Sequence, residues 1–301
     1  MANGNAEVFV TPTMLSTWRF GNLPSVAASA VNNFIIPAGD NVHGLLINFQ
    51  SAAPAPLTRT QLITDVAHVR EWLNGELIFD RTTTEILDDY KFHFDRFGAL
   101  AAPLGQLVIS CMNHHLPVWD QTRGAALGML KTGGKPGAGP YNVLSVEVTM
   151  TAAAATAATA EVHVITDLYP QEQTGLHIRR LRTTRDLMAI GDNLIDNLPR
   201  MAKGLLALHV VTAAMDRVNV TADTREVYRD LPWDSLQILM NSAGRTPQAG
   251  YSHIPFDLGN DLFSYLPYQG LSKFIVNVHT TAAPGAGTVI LLDEVWDHVR
   301  E

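Results

Sequence analysis

The 301-residue chain has one cysteine, Cys111, so no disulfide can close within it and stability must come from cores and interfaces. Charge is sparse too. Charged residues make up 17% of the chain, and the formal net charge is −8. That balance argues against a nucleic-acid binder, which carries a basic footprint, and no specific nucleic-acid binding is expected. No run of about 18 apolar residues occurs, so no helix is expected to span a bilayer. The N-terminus has no basic stretch followed by an apolar one, so no signal peptide is read and synthesis in the cytoplasm is expected.

Catalytic signatures are missing as well. No His-x-His, His-Glu-x-x-His or Gly-x-Ser-x-Gly occurs. The adjacent His114 and His115 would point to opposite faces of a strand, so they would not share one metal ion. The loop from Gly133 to Gly139 superficially resembles a phosphate cradle. Gly134 stands where the Walker lysine belongs, and Pro136 follows Lys135 where a hydroxyl is needed. No catalytic residue and no cofactor is expected. The carboxylates Asp88–Asp89, Asp293–Glu294 and Asp192/Asp196 are the candidates for structural Ca²⁺.

What is present is the chain written twice. Asn32–Ile36 and Gly44–Leu46 match Asp192–Asp196 and Gly204–Leu206 with the same offset. Arg70–Leu73 match Arg225–Tyr228, and Leu144–Ala153 match Phe274–Ala283, at shorter offsets. Three blocks in one order, with drifting offsets, imply two copies of a domain whose loops differ. A solenoid would keep a fixed short period.

Residues 1–30 read as an arm anchored by Trp18 and Phe20. Residues 31–172 then form the first domain and 173–301 the second. Asn74–Gly75 between apolar runs predicts a hairpin. Tyr90–Phe94 and Leu236–Met240 are expected as strands; 119–130 and 261–266 are expected as short helices. The Thr/Ala stretch 151–160 corresponds to Ala283–Gly287, so each is expected to be the tip of a closing hairpin. The expected fold is all-β: two tandem eight-stranded jelly-roll sandwiches with short helices in the connections. Arg179, Arg180, Arg182 and Arg185 form the one dense basic run. It would face lipid, nucleic acid or an acidic neighbour, or protect a strand edge.

The strand–Asn-Gly–strand segment Val69–Asp80, its counterpart Arg225–Asp234 and the paired segments 144–165 and 274–292 resemble the double jelly-roll major capsid proteins of tailless icosahedral viruses. That lineage includes membrane-containing bacteriophages and the adenovirus hexon, and the resemblance covers residues 31–299. It implies a capsid subunit that self-assembles as pseudo-hexagonal homotrimers in a virion. Penton or minor capsid proteins and an internal lipid membrane would be further partners. Trp72, Trp119, Trp233 and Trp296 are then candidates for inter-domain or trimer contacts. Trp18 and Phe20 would tie the arm to neighbours. Two other readings predict different features. A tandem β-sandwich carbohydrate- or receptor-binding protein would expose aromatics in a loop cleft. A hydrolase or peptide-amidase would cluster perturbed carboxylates or histidines between the sandwiches, with Asp65, Asp80 and Asp95 the first to inspect.

Overall fold

The structure, a computed structural model, describes residues 15–37, 41–94, 105–110, 142–167, 176–258 and 264–297. Cys111, His114, His115, Trp119, Asp95, the helix expected at 119–130 and the domain boundary at 172/173 lie outside the described residues.

The first unit contains β1 (Leu15–Asn22), β2 (Val31–Ile36), β3 (Val42–Ser51), α1 (Arg59–Asp65), β4 (Val66–Leu73), β5 (Glu76–Thr82), α2 (Thr83–Phe94), β6 (Gln106–Ser110), β7 (Leu144–Met150) and β8 (Ala157–Asp167). Its strands form two sheets, β1-β8-β3-β6 and β2-β7-β4-β5. The second unit contains β9 (Leu176–Leu187), β10 (Gly191–Ile195), β11 (Gly204–Val210), β12 (Met215–Ala222), β13 (Arg225–Pro232), α3 (Trp233–Ser242), β14 (Ser252–Pro255), β15 (Leu266–Pro267), β16 (Phe274–Thr280) and β17 (Gly285–Asp297). It repeats the arrangement as β9-β17-β11-β14 and β10-β16-β12-β13, with the two-residue β15 also on β11. A parallel contact between Phe79 of β5 and Arg180 of β9 joins one sheet of each unit into a nine-stranded sheet. The fold is a double jelly roll.

Each sandwich has its own core, and period-2 burial builds it. Leu144, Val146, Val148 and Met150 of β7 point inward with Leu45, Ile47 and Phe49 of β3. Phe274, Val276 and Val278 of β16 do the same in the second unit, with Leu205 and Leu208 of β11. α1 starts with a capping box in which the Gln61 side chain accepts from the Thr58 backbone N–H at 2.8 Å. Thr82 and Glu85 repeat that exchange at the start of α2.

The duplication shows in how the turns are held. Asn74 and Gly75 take positive φ (51° and 90°) between paired Leu73 and Glu76. The Asn74 Oδ1 accepts from the backbone of Asn142 and Val143 at the entry to β7. In the second unit Asp223 also takes positive φ, and its carboxylate accepts from the backbone of Ser272 and Lys273 at the entry to β16. One turn residue thus clamps the penultimate strand in both units.

Five expectations are corrected. Residues 15–22 are not part of an arm: β1 pairs along β8 in the first sandwich. The segments 144–165 and 274–292 are not hairpins, because β7 pairs with β2 and β4 while β8 pairs with β1 and β3. The turn at 151–156 therefore crosses from one sheet to the other. Tyr90–Phe94 and Leu236–Met240 lie in α2 and α3 and are not strands. Leu266 pairs with Leu205, so it is strand where a helix end was expected. The match of Arg70–Leu73 to Arg225–Tyr228 set the first arm of one hairpin against the second arm of the other. The turn clamps align Asn74 with Asp223 instead.

Candidate assembly interfaces

Two kinds of surface bear on function: the junction between the sandwiches and the faces left uncovered. At the junction, β5 and α2 of the first unit lie against β9, β11 and β17 of the second. Arg81 is 1% exposed and donates to Asp293 Oδ1 at 2.9 Å, to the Leu292 carbonyl at 3.3 Å and to the Leu181 carbonyl. Arg180 lies 3.6 Å from Asp89 and 3.9 Å from Asp293, and donates to the Ser110 carbonyl. Arg182 bonds Glu85 at 3.1 Å. Arg179 bonds Glu76 and places its guanidinium 3.5 Å from the centre of the Trp296 ring. The acidic first turn of α2 and its aspartates are thus met by the basic run of β9.

Histidines surround the shared acid. His93 Nε2 lies 3.3 Å from Asp89 and 3.8 Å from Asp293, and His209 Nε2 lies 3.6 Å from Asp293. His253 Nδ1 sits 2.7 Å from His209 Nδ1, and its ring stacks on Phe92 at 4.2 Å. Burial favours the neutral acid at Asp293, but hydrogen bonds from His209 and His93 and the charge of Arg180 outweigh it and hold the carboxyl well below its usual range. Burial likewise opposes ionisation of Asp89, and His93 overcomes it. The His93 pKa is raised: Asp89 and Asp293 outweigh the burial that would lower it. Burial and then His209 hold His253 well below its usual value. Glu71, 1% exposed between Val69 and Leu73 of β4, is pushed by burial up to about 8 against the pull of Arg180.

The basic run is therefore no surface patch. Arg179 and Arg180 are buried and face an acidic neighbour within the same chain, and Arg185 bonds Asn197. Asp89, His93 and Asp293 bring ligand atoms within 4.8 Å of one another. The same carboxylates already contact Arg81 and Arg180, which balance their charge. Asp88 is paired with Arg59 at 2.6 Å, Glu294 accepts from Trp296 Nε1 at 3.0 Å, and Asp192 accepts from Asn277 at 3.0 Å. Asp196 is exposed on its own strand end. Of the acids named by the hydrolase reading, Asp65 and Asp80 are described, and they are occupied separately. Asp65 accepts three backbone N–H groups from Ala155, Thr156 and Ala157, and Asp80 bonds His68 at 2.6 Å and Arg70.

Of the tryptophans, Trp296 lies at the junction, Trp233 packs on the second core from the start of α3, and Trp72 is half-buried on the outward side of β4. Trp18 and Phe20 pack on the first core from β1, with Phe20 5.4 Å from Phe34. Sequence reasoning missed Arg81, His93, His209 and His253. The available signal was charge complementarity: the only basic run and an acidic helix occur once each, in different copies.

Elsewhere large apolar side chains are open to solvent: Val31 and Ile35 on β2, Met188, Ile190 and Leu194 on and before β10, and Ile238 and Leu239 on α3. Exposed large apolar side chains grouped on one element are candidates for contact surfaces.

Comparison with known proteins gives the fold a context. Residues 178–298 match the family model of the viral coat protein P2 C-terminal domain. No curated protein sequence matches the chain. The major capsid protein P2 of bacteriophage PM2 superposes with a TM-score of 0.76 at 18% identity, covering 95% of this chain and 99% of that one. The structure of Sulfolobus turreted icosahedral virus contributes a chain with a TM-score of 0.60 at 11% identity, covering 93% and 90%. The major capsid protein of Faustovirus gives 0.53 at 9% identity, covering 98% and 92%. The chain therefore has the double jelly-roll fold of viral major capsid proteins along nearly its whole length, and its second sandwich matches the P2 coat-protein C-terminal domain family.

Proposed function

We propose that this chain is the major capsid protein of an icosahedral virion and assembles into the shell as homotrimers with a pseudo-hexagonal outline. One observation carries the reading: the match to the PM2 coat protein runs through both sandwiches and covers 95% of this chain and 99% of that one. The coat-domain match over the second sandwich supports it independently. Mechanistically the role is self-association. Two sandwiches fixed side by side by the ionic junction make one third of a six-unit outline, and apolar faces such as those on β2, β10 and α3 supply the area that association buries. Minor capsid proteins at vertices and an underlying membrane are further partners on this reading.

The test is native mass by light scattering, followed by negative-stain imaging of the same sample. Trimers with a hexagonal outline, or sheets and shells of them, are expected. A monomer that stays monomeric across salt and protein concentration would overturn the proposal.

A further inference from the structure

The histidines at the junction hold their protons in a fixed pattern. His209 of β11 and His253 of β14 stand directly opposite in the antiparallel register, so both rings share one face of the sheet, and both are buried. His253 Nε2 accepts from the Gln248 backbone N–H at 3.1 Å. An amide N–H only donates, so the one ring proton of neutral His253 is on Nδ1, which donates to His209 Nδ1 at 2.7 Å. The proton of His209 is then on Nε2, which faces Asp293 at 3.6 Å. Both bare ring nitrogens are in use as acceptors. A third proton has to sit on His253 Nε2 against the Gln248 N–H, or on His209 Nδ1 against the His253 N–H. Either places donor against donor. The segment 245–253 also grips the first unit. Thr246 N–H donates to the Phe92 carbonyl at 3.2 Å, the Arg245 guanidinium lies 5.7 Å from the centre of the Phe92 ring, and the His253 ring stacks on Phe92.

We propose that residues 245–253 form an acid-released latch on the end of α2: a third proton on the His209–His253 pair breaks its hydrogen bonds and frees the segment from Phe92. The latch lies within one chain and stands apart from the capsid reading. The described groups around the pair set the sign. Burial opposes charge on His253, as do His209, His93 and Arg245, while Asp293 pulls the other way. Those neighbours are themselves engaged: His93 with Asp89, Asp293 with Arg81 and Arg180, and Arg245 with Asp257 at 2.6 Å. Tyr251, stacked on His253, bonds Asp88 and has Glu85 beside it. Below the ordinary histidine value of 6.5 the latched state therefore binds one proton fewer than the released one. Release becomes about tenfold easier per pH unit as pH falls. His93 and Glu71 hold their protons in both states over that range and add no slope. The Arg81–Asp293 pair survives release, so the two units stay joined while α2 loses the contact at its end.

The experiment is amide hydrogen exchange by mass spectrometry on the full chain, from about pH 7.5 to about pH 4.5, for wild type, His253→Gln and His68→Gln. Glutamine can still accept from Gln248 and donate to His209, and it does not titrate. His68, paired with Asp80 at 2.6 Å away from the latch, is the control histidine. Comparing variants at one pH cancels the pH dependence of exchange chemistry itself, and circular dichroism at pH 7 checks folding. In wild type and His68→Gln, protection of 245–253 and of the end of α2 should fall about tenfold per pH unit below about 6.5. In His253→Gln it should stay level. The same acid loss in folded His253→Gln, or wild-type protection that holds throughout, would overturn the latch and leave the capsid reading standing. If His253→Gln does not fold, exchange of the histidine C2 hydrogens in wild type decides. His253 should titrate below 6.5, together with the loss of protection of 245–253. Titration at or above that value with the segment still protected would overturn the proposal.

Discussion

Replacing Arg81 with alanine tests the junction at its most connected point. The side chain bridges the sandwiches through Asp293 and two backbone carbonyls of β9 and β17. Its removal leaves a buried carboxylate without its nearest cation, and breaking one side of a buried ion pair costs about 3–5 kcal/mol. Arg180, His93 and His209 remain within 4 Å of Asp293, so the lower end, about 3 kcal/mol, is expected. Urea unfolding at pH 7 and fixed protein concentration reads this as a midpoint shift of about 1 M or more. Adding Asp293→Asn to Arg81→Ala removes the stranded charge, so the double variant should recover about 1 kcal/mol relative to additivity. A single-variant loss below about 1 kcal/mol, or strict additivity of the pair, would refute the claim that this ion pair fixes the two units.

Other outcomes follow from the same geometry. Glu71, raised from 4.5 to about 8, keeps its proton in the folded state across a range where the unfolded chain releases it. Its contribution is complete below about pH 4.5 and is lost as pH rises towards 8. Thermal unfolding of Glu71→Gln should therefore be less pH-dependent across that window, with a ceiling of roughly 5 kcal/mol; an unchanged slope would refute it. Asp65→Ala strips three backbone donors at the 151–157 turn of a fully buried acceptor. It should lower stability by about 3 kcal/mol in denaturant titration, and a change under about 1 kcal/mol would count against the cap. Chelation by EDTA should change neither native mass nor melting temperature, because arginines already neutralise Asp89 and Asp293; dissociation on chelation would show that an ion is required.

The repeat was legible in the sequence because strands facing a core must alternate, and Leu144–Met150 and Phe274–Thr280 both do. The Asn74–Gly75 turn was legible because few residue pairs accept two positive φ values in succession. α2 was not. Tyr90, Phe92 and Phe94 alternate as a strand would, yet Ile86, Leu87 and Tyr90 also fit a helical face, and the Thr82–Glu85 cap settles which period wins. The closing segments misled for a different reason. A turn between two apolar strands has the same composition whether the strands pair or cross between sheets. The junction was hidden by distance along the chain: Arg81 and Asp293 are 212 residues apart, and a histidine that contacts buried acids has no local pattern.

The ionic junction also separates two events in time. Its partners are tethered in one chain, so their encounter does not depend on protein concentration. Charged groups buried with several directional bonds tolerate little sliding, so the two sandwiches lock at one angle on folding. An apolar, water-exposed face such as that of α3 is less particular about geometry and responds to concentration. A rigid piece is thus finished first, and the adjustable joints are left for the moment when pieces meet.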